Sequence, residues 1–144
     1  MHGMFYNCPS LTSLDLRFNT SNVKNMGYMF YNCAGLTNLD LSGFDTSSVT
    51  DMSYMFIACI CLKSLDLSHF NTSNVTNMKG MFYNCSNLTE LDLGSFDTSK
   101  VTNMAWMFTG CKNLKKIIME TTARQDTNTE KMFVGCPTEI IQKP

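Results

Sequence analysis

Cysteine is the residue type whose chemistry and spacing first suggest a reactive site in this chain. Six cysteines recur at intervals of 25 or 26 residues, namely Cys8, Cys33, Cys59, Cys85, Cys111 and Cys136. Zinc sites normally contain cysteine pairs separated by two residues, and the closest pair here is the isolated Cys59 and Cys61. The sequence therefore predicts no metal site, and no residue pattern indicates a cofactor.

The regular cysteines leave two alternatives for their thiols. If successive repeats stack, neighbouring cysteines could reach the Cα separation of a disulfide, about 4.4 to 6.8 Å. Parallel side chains in one column rarely adopt the dihedral angle that a disulfide requires, and small buried thiols pack well as apolar groups. We favour reduced thiols with a structural role.

Histidine offers no catalytic arrangement in the sequence. His2 and His69 are the only histidines, and neither has a nucleophile or a carboxylate at a meaningful spacing. Because no nucleophile and base stand together, we expect a protein without enzymatic activity.

Acidic residues form a column that could bind a partner. Four aspartates each stand between the inward leucines of one repeat, and like charges about 5 Å apart repel by nearly 1 kcal/mol even in water. Two explanations stay open: compensation by flanking side chains, backbone and salt, or a strip that receives a basic partner or a divalent cation. Ile118 occupies the corresponding position after the fourth aspartate. The candidate binding residues are Asp15, Asp40, Asp66, Asp92, Glu90, Ser13, Asn38 and Ser64.

Two further columns have mainly structural interpretations. Asn19, Asp45, Asn71 and Asp97 are each followed by Thr and Ser, which predicts side chains that hydrogen-bond the backbone of turns. Aromatic residues flank the Met-Phe pairs at Tyr6, Tyr31 and Tyr83 and at Tyr28, Tyr54 and Trp106. Exposed Tyr and Trp are good interface anchors, and half-buried edge packing is the alternative.

All these columns follow from one repeat. Met-Phe occurs six times, and each Met precedes a column cysteine by four residues; these methionines are Met4, Met29, Met55, Met81, Met107 and Met132. Leucine columns share the period, and self-similarity at 20 to 50 residues indicates a solenoid whose repeats bury apolar faces against their neighbours. We predict a repeat solenoid of about five to six coils with short parallel β-strands and short helical or 3₁₀ turns.

Residues 29–54 serve as the type unit. Residues 39–41 alternate with period two and predict a short strand, residues 49–52 predict a less regular one, and residues 55–59 of the next repeat suit one helical or 3₁₀ turn. We expect a single domain over residues 1–144, with coils starting near residues 4, 29, 55, 81 and 107. Residues 120–144 read as a degenerate carboxyl-terminal cap.

Composition limits the partners. The net charge is −1, without the clustered basic face that nucleic acid requires, and no apolar run approaches the roughly 20 residues that cross a bilayer. The chain begins within a repeat and shows no signal segment or anchor, so we expect a piece of a longer protein. Its first coil should expose an apolar edge, which suggests end-to-end self-association.

The repeat motif resembles a known family. Cys-x-x-Leu-x-x-Leu-x-Leu, at residues 33–41 and 85–93, resembles the leucine-rich repeat. With Phe-Asp-Thr-Ser-x-Val-Thr-x-Met and Met-Phe-x-x-Cys attached, residues 4–136 resemble the BspA-like leucine-rich repeats of bacterial surface proteins. The resemblance implies a curved right-handed solenoid without catalysis, located at the cell surface or outside the cell and linked to adhesion.

From this resemblance we expect a non-enzymatic recognition module that binds a protein or glycoprotein through its outward strand face. The alternative is a purely structural scaffold or spacer within a larger surface protein. Neither expectation includes nucleic acid or direct insertion into a membrane.

Overall fold

The chain forms one short parallel sheet near its carboxyl-terminal end. The computed structural model describes residues 1–119, 124–137 and 139–142. Its strands are β1 (Glu90–Leu93), β2 (Lys116–Met119) and β3 (Glu139–Gln142), which pair in that order and all in parallel. Since each strand belongs to the repeat after the previous one, the sheet runs across neighbouring repeats.

The predicted strand at residues 39–41 is wrong, and the one at residues 49–52 is reduced to a single bridge. No strand is present at residues 39–41, although the equivalent residues of the fourth and fifth repeats form β1 and β2. In the other segment only Asp51 pairs with its equivalents, through isolated parallel bridges to Asn25 and Asn77. The bridge column continues through Asn103 to Asn128, so it spans five repeats.

Regular strand pairing begins where the acidic column ends. In the β1–β2 pair Asp92 lies opposite Ile118, so no second carboxylate faces it. In the earlier repeats each aspartate of the acidic column is followed by another aspartate one repeat later. Like charges directly opposite one another destabilise strand pairing, and the regular ladder is accordingly found where the acidic column has ended.

The predicted helical or 3₁₀ turn at residues 55–59 is also wrong. The segment consists of successive tight turns in which alternate backbone N–H groups point in different directions. The N–H of Phe30 donates to the carbonyl of Met55 in the next repeat at 2.9 Å, whereas the N–H of Tyr31 donates to Tyr28 three residues back. A 3₁₀ helix would commit every N–H to its own segment, so stacking replaces the helix.

Left-handed backbone also interrupts any helix in this segment. Each repeat has two residues with φ between 52° and 77°, separated by four positions: Gly3 and Asn7, Tyr28 and Asn32, Tyr54 and Ala58, Gly80 and Asn84, Trp106 and Gly110, Lys131 and Gly135. Glycine and asparagine tolerate this conformation well, and bulky residues rarely adopt it. The turns are therefore as regular as the sequence repeat.

The core consists of the predicted apolar columns. The phenylalanines of the Met-Phe pairs are stacked, with ring centroids 5.6 to 5.7 Å apart and nearly parallel planes at Phe30, Phe56, Phe82 and Phe108. Leucines of the second to fourth repeats are buried, including Leu36, Leu62 and Leu88. Each repeat buries its apolar side chains mainly against those of its neighbours.

Threonines provide the polar part of this core. Thr46 is buried, and its Oγ1 donates to the carbonyl of Asn71 at 3.0 Å while it accepts the N–H of the same residue at 2.8 Å. Thr20 and Thr72 bind Asp45 and Asp97 in the same way. Each of these three threonines thus holds the next repeat by two hydrogen bonds.

The contacts described above all connect consecutive repeats. The leucine-rich-repeat solenoid and the single domain over residues 1–144 stay predictions. Residues 120–123, 138 and 143–144 of the predicted cap lie outside the described residues. Within the described part of the cap, Asp126 and Thr129 are exposed where earlier repeats bury valine and methionine. Among the described residues no helix has the length and apolarity to span a membrane.

Candidate functional site

All eight residues of the predicted binding face are exposed, and the structure brings only some of them together. Asn38, Asp40, Ser64 and Asp66 line one depression of about 320 Å³, together with the edges of neighbouring leucines. It lies across the second and third repeats. Ser13 does not line this depression, and Glu90 and Asp92 lie on β1 beyond it.

His69 belongs to the same depression and lies near two carboxylates, which the spacing of the histidines in the sequence did not predict. Its Nε2 donates to the carbonyl of Leu41 at 2.6 Å, which fixes the ring across two repeats beside Asp40 and Asp66. The sequence does contain an indication of this grouping. His69 follows Asp66 by three residues, and Asp40 occupies the position of Asp66 in the preceding repeat. Spacing along the chain alone does not reveal it.

The aspartates stabilise turns as well as facing solvent. The backbone N–H of Ser42 donates to Asp40 Oδ1 at 2.9 Å, that of Ser68 to Asp66 at 3.0 Å, and that of Gly94 to Asp92 at 2.8 Å. In residues 1–119 the flanking Ser13, Asn38 and Ser64 make no hydrogen bond to these carboxylates. The predicted compensation by backbone is confirmed, and that by Ser13, Asn38 and Ser64 is wrong.

These contacts keep the carboxylates ionised. Hydrogen bonds from the hydroxyl and N–H of Ser42 lower the pKa of Asp40, and the charge of His69 lowers it further although Asp66 acts against it. Hydrogen bonds from the N–H and hydroxyl of Ser68, with His69, likewise lower the pKa of Asp66. The depression is therefore anionic at neutral pH.

A second depression of about 420 Å³ adjoins the first and is partly neutralised. Asp15 and Asp40 line it together with Arg17, whose Nε lies 2.9 Å from Asp15 Oδ1. Both partners of this ion pair are largely exposed, so the pair contributes little to stability. On β1, Glu90 stands opposite Lys116 in the strand register, which also offsets charge. Among the described residues, Asp40, Asp66 and Asp92 form no salt bridge.

Among the described residues no three His, Cys, Asp or Glu side chains gather closely enough to hold a metal ion. The depression offers hydrogen-bond acceptors and negative charge, which suit a cationic group on a larger partner.

The column cysteines are part of the core. Cys59 Sγ donates to the carbonyl of Phe30 at 3.1 Å, and Cys85 and Cys111 make the same contact with Phe56 and Phe82 at 3.0 Å. Burial raises the pKa of all three thiols, that of Cys111 to about 12. Since the thiolate is the nucleophilic form, these cysteines are poor nucleophiles at neutral pH.

The predicted turn column has the geometry expected of it. The N–H of Ser47 donates to Asp45 Oδ1 at 3.0 Å, and the N–H of Ser99 donates to Asp97 at 2.9 Å. Asn19 and Asn71 accept the N–H of Ser21 and Ser73 in the same way. The structural interpretation of this column is confirmed.

The aromatic residues lie on another part of the surface and are mostly half-buried. Tyr6 and Tyr31 stack with ring centroids 4.3 Å apart, and Tyr28 and Tyr54 are 4.9 Å apart. Tyr6 is exposed, whereas the other aromatic residues of the two columns are half-buried. The prediction of edge packing is therefore confirmed for the first three repeats, where rings cover one another.

Repeats, apolar columns and turn chemistry together define a repeat protein, and a comparison with known families agrees. The family described as "Mycoplasma protein of unknown function, DUF285" matches residues 1–64 and, in a second overlapping match, residues 36–140. Because these matches cover most of the chain, the chain belongs to this family. Comparison with curated proteins found no match, and comparison with solved structures found none either.

Proposed function

We propose that this chain is a leucine-rich-repeat solenoid of the BspA-like kind and acts as a non-enzymatic recognition module. It is displayed at the cell surface or outside the cell and binds a protein or glycoprotein through the face that carries the acidic column. The observation that supports the proposal is the anionic depression at Asp40, Asp66 and His69, where carboxylates of two repeats converge on one exposed surface.

Electrostatics favour a basic partner for this face. Hydrogen bonds that lower the pKa values of Asp40 and Asp66 keep both negative well below neutral pH. The turn backbone also fixes the position of each carboxylate, so less conformational freedom is lost on binding. A Lys or Arg side chain of the partner fits between the two repeats and gains from both charges.

The experiment compares binding of the purified chain to extracellular matrix proteins, mucin and a basic peptide at low and high salt. We expect saturable binding of at least one of them, weakened by salt. In the double variant D40N/D66N the affinity at low salt should fall by about tenfold, because both charges are lost while Asn can keep the turn hydrogen bonds.

The chain offers a matched control in Asp45 and Asp97. These aspartates are exposed and accept the same type of turn hydrogen bond, but they lie outside both acidic depressions. The variant D45N/D97N removes the same charge and should keep the affinity of the wild type. Equal losses in the two variants would reduce the effect to net charge and refute the proposed face.

The second candidate function is a structural scaffold or spacer, with end-to-end self-association. It is favoured by the turn hydrogen bonds that Asp40, Asp66 and Asp92 accept, because these bonds give each carboxylate a structural role. It is also favoured by the exposure of Met4 and Phe18 in the first repeat. Light scattering over a range of protein concentrations tests it, because stacking predicts oligomers that grow with concentration and a strict monomer contradicts stacking.

A further inference from the structure

A groove on another face of the molecule extends from the third Met-Phe pair to the sixth. Its walls are the aromatic rings of Tyr54, Tyr83 and Trp106 with the aliphatic side chains of Ile57 and Val134, and it encloses about 380 Å³. Thr109 and Lys131 complete the lining. We call this surface the aromatic groove, and none of its residues belongs to the acidic depressions.

The groove exists because one aromatic column contains a glycine. Gly80 stands in the column of Tyr28, Tyr54 and Trp106, and a Cβ on Gly80 would lie only 2.3 Å from Tyr54 Cε1. The ring of Tyr54 thus leans over the bare backbone of Gly80. Among the described residues neither Tyr83 nor Trp106 stacks on another aromatic ring, in contrast to the close tyrosine pairs of the first repeats.

The rings of Tyr54 and Trp106 stand at a left-handed position that all repeats share. Their φ values are 57° and 60°, and Gly3, Tyr28, Gly80 and Lys131 also have positive φ at the equivalent position. The conformation therefore belongs to the turn of the repeat, and both glycine and larger residues are accepted there.

Lys79 places a positive charge beside two rings of the groove. Lys79 Nζ lies 4.7 Å from the ring centroid of Trp106 and 5.8 Å from that of Tyr54. Within the described residues no carboxylate forms a salt bridge with Lys79, whereas Lys131 is paired with Glu130 at 3.2 Å. The ammonium group of Lys79 therefore lies beside two rings of the groove and has no salt bridge to a carboxylate in the described residues, whereas Lys131 in the groove lining is already paired.

We propose that the aromatic groove binds an acidic peptide segment, which inserts an aliphatic side chain between Tyr54, Tyr83 and Trp106 and presents a carboxylate to Lys79. A membrane surface would contact protruding side chains, whereas this site is concave. The ligand is thus opposite in charge to the one expected at the acidic depression.

Trp106 makes the proposal directly testable because it is the only tryptophan of the chain. A displayed library of random linear peptides is selected on the intact protein, and the enriched peptides are synthesised and titrated while Trp106 emission is recorded. We expect sequences in which an aliphatic residue lies next to Asp or Glu, and a blue shift of the emission on binding. Failure to enrich any peptide that alters this emission would overturn the proposal.

Variants assign the binding to particular side chains. Lys79→Met and Tyr83→Ala keep the Trp106 reporter, and each should weaken the selected peptide by about tenfold. Lys63→Met removes an exposed lysine outside the groove and should leave binding unchanged. Equal affinities in all three variants, or an emission shift with phosphatidylserine vesicles in place of the peptides, would overturn the proposal.

Trp106→Gly separates a binding role from a structural one. Glycine is compatible with the positive φ at this position, so the variant should still unfold cooperatively in denaturant, whereas binding of a fluorescein-labelled selected peptide, measured by anisotropy, should be lost. Unchanged binding would contradict the proposal. The D40N/D66N variant should bind this peptide like the wild type, so failure of the acidic face and failure of the groove are distinguishable.

Discussion

At the scale of single residues, the polar and sulfur atoms in the core act between repeats. Thr46 Oγ1 makes both of its hydrogen bonds to the backbone of Asn71, and the thiol of Cys59 donates to Phe30 in the preceding repeat. Neither type of contact joins neighbours in sequence. Side chains that look repetitive in the sequence are thus the groups that fix the register between repeats.

Replacing Thr46 by Val tests the strength of this threonine contact. The valine has nearly the same shape but leaves the N–H and carbonyl of Asn71 without their side-chain partner, so the free energy of unfolding should fall by about 1 to 3 kcal/mol. Thr50→Val is the control, since Thr50 is exposed and makes one hydrogen bond of 3.1 Å to Lys24. Urea denaturation of both variants measures the difference in unfolding free energy. Equal losses of stability would argue that the contacts of Thr46 between repeats contribute nothing special.

Thiol reactivity tests the burial of the cysteine column. Cys33, Cys59, Cys85 and Cys111 are buried, whereas Cys8, Cys61 and Cys136 are half-buried. Iodoacetamide at pH 8 should therefore modify at most three of the seven thiols in the folded chain and all seven in denaturant. Intact mass spectrometry counts the adducts, and rapid modification of more than three thiols in the native state would contradict this burial.

At the scale of elements, the turns depend on two left-handed residues in every repeat. One of the two positions is occupied by Asn7, Asn32, Ala58, Asn84, Gly110 and Gly135. Asn and Gly adopt positive φ readily, and alanine does so at a cost. Ala58 is therefore the exceptional residue in an otherwise compatible column.

Ala58→Gly should stabilise the protein by about 1 kcal/mol, because relief of the strained φ outweighs the extra freedom of glycine in the unfolded chain. Ala105→Gly is the matched control: Ala105 is buried and has no positive φ, so this variant should be destabilised by about 0.5 to 1 kcal/mol. Thermal unfolding of both variants gives the sign of each effect. Destabilisation by Ala58→Gly would show that the turn differs from the one described.

The elements also show how far the sequence could predict the structure. Period and residue type were sufficient for the buried columns, such as Leu36 and Phe56, and for the turn role of Asp45. The strand at residues 39–41 could not be predicted reliably, because pairing depends on which residue faces Asp40 across repeats. The aromatic groove was beyond prediction, since it depends on how Tyr54 fills the space beside Gly80.

At the scale of the whole molecule, stacked repeats bring together residues that are distant in sequence on two separate surfaces. Asp40 and Asp66 form the anionic depression, and Tyr54 and Trp106 border the aromatic groove. Both surfaces combine residues from consecutive repeats. Their geometry therefore depends on the backbone hydrogen bonds between those repeats.

The buried thiols also link global stability to alkaline pH. Burial raises the pKa of Cys59, Cys85 and Cys111, so an unfolded thiol ionises at a lower pH than these folded ones. Their contribution to stability is complete below the unfolded pKa, about 8.5, and is lost as pH rises towards the folded values. The urea midpoint should fall between pH 8 and pH 11, and Cys85→Ala should show a smaller decline. An unchanged midpoint would contradict the burial of these thiols.

The most direct test of the account is an NMR measurement of scalar couplings through the hydrogen bonds between repeats. Stacked repeats predict couplings from the amide nitrogen of Phe30 to the carbonyl carbon of Met55, from Phe56 to Met81, and from Phe82 to Met107. Detection of this series would establish the arrangement on which both proposed surfaces rest. Its absence in a folded sample, or couplings only within repeats, would contradict the account.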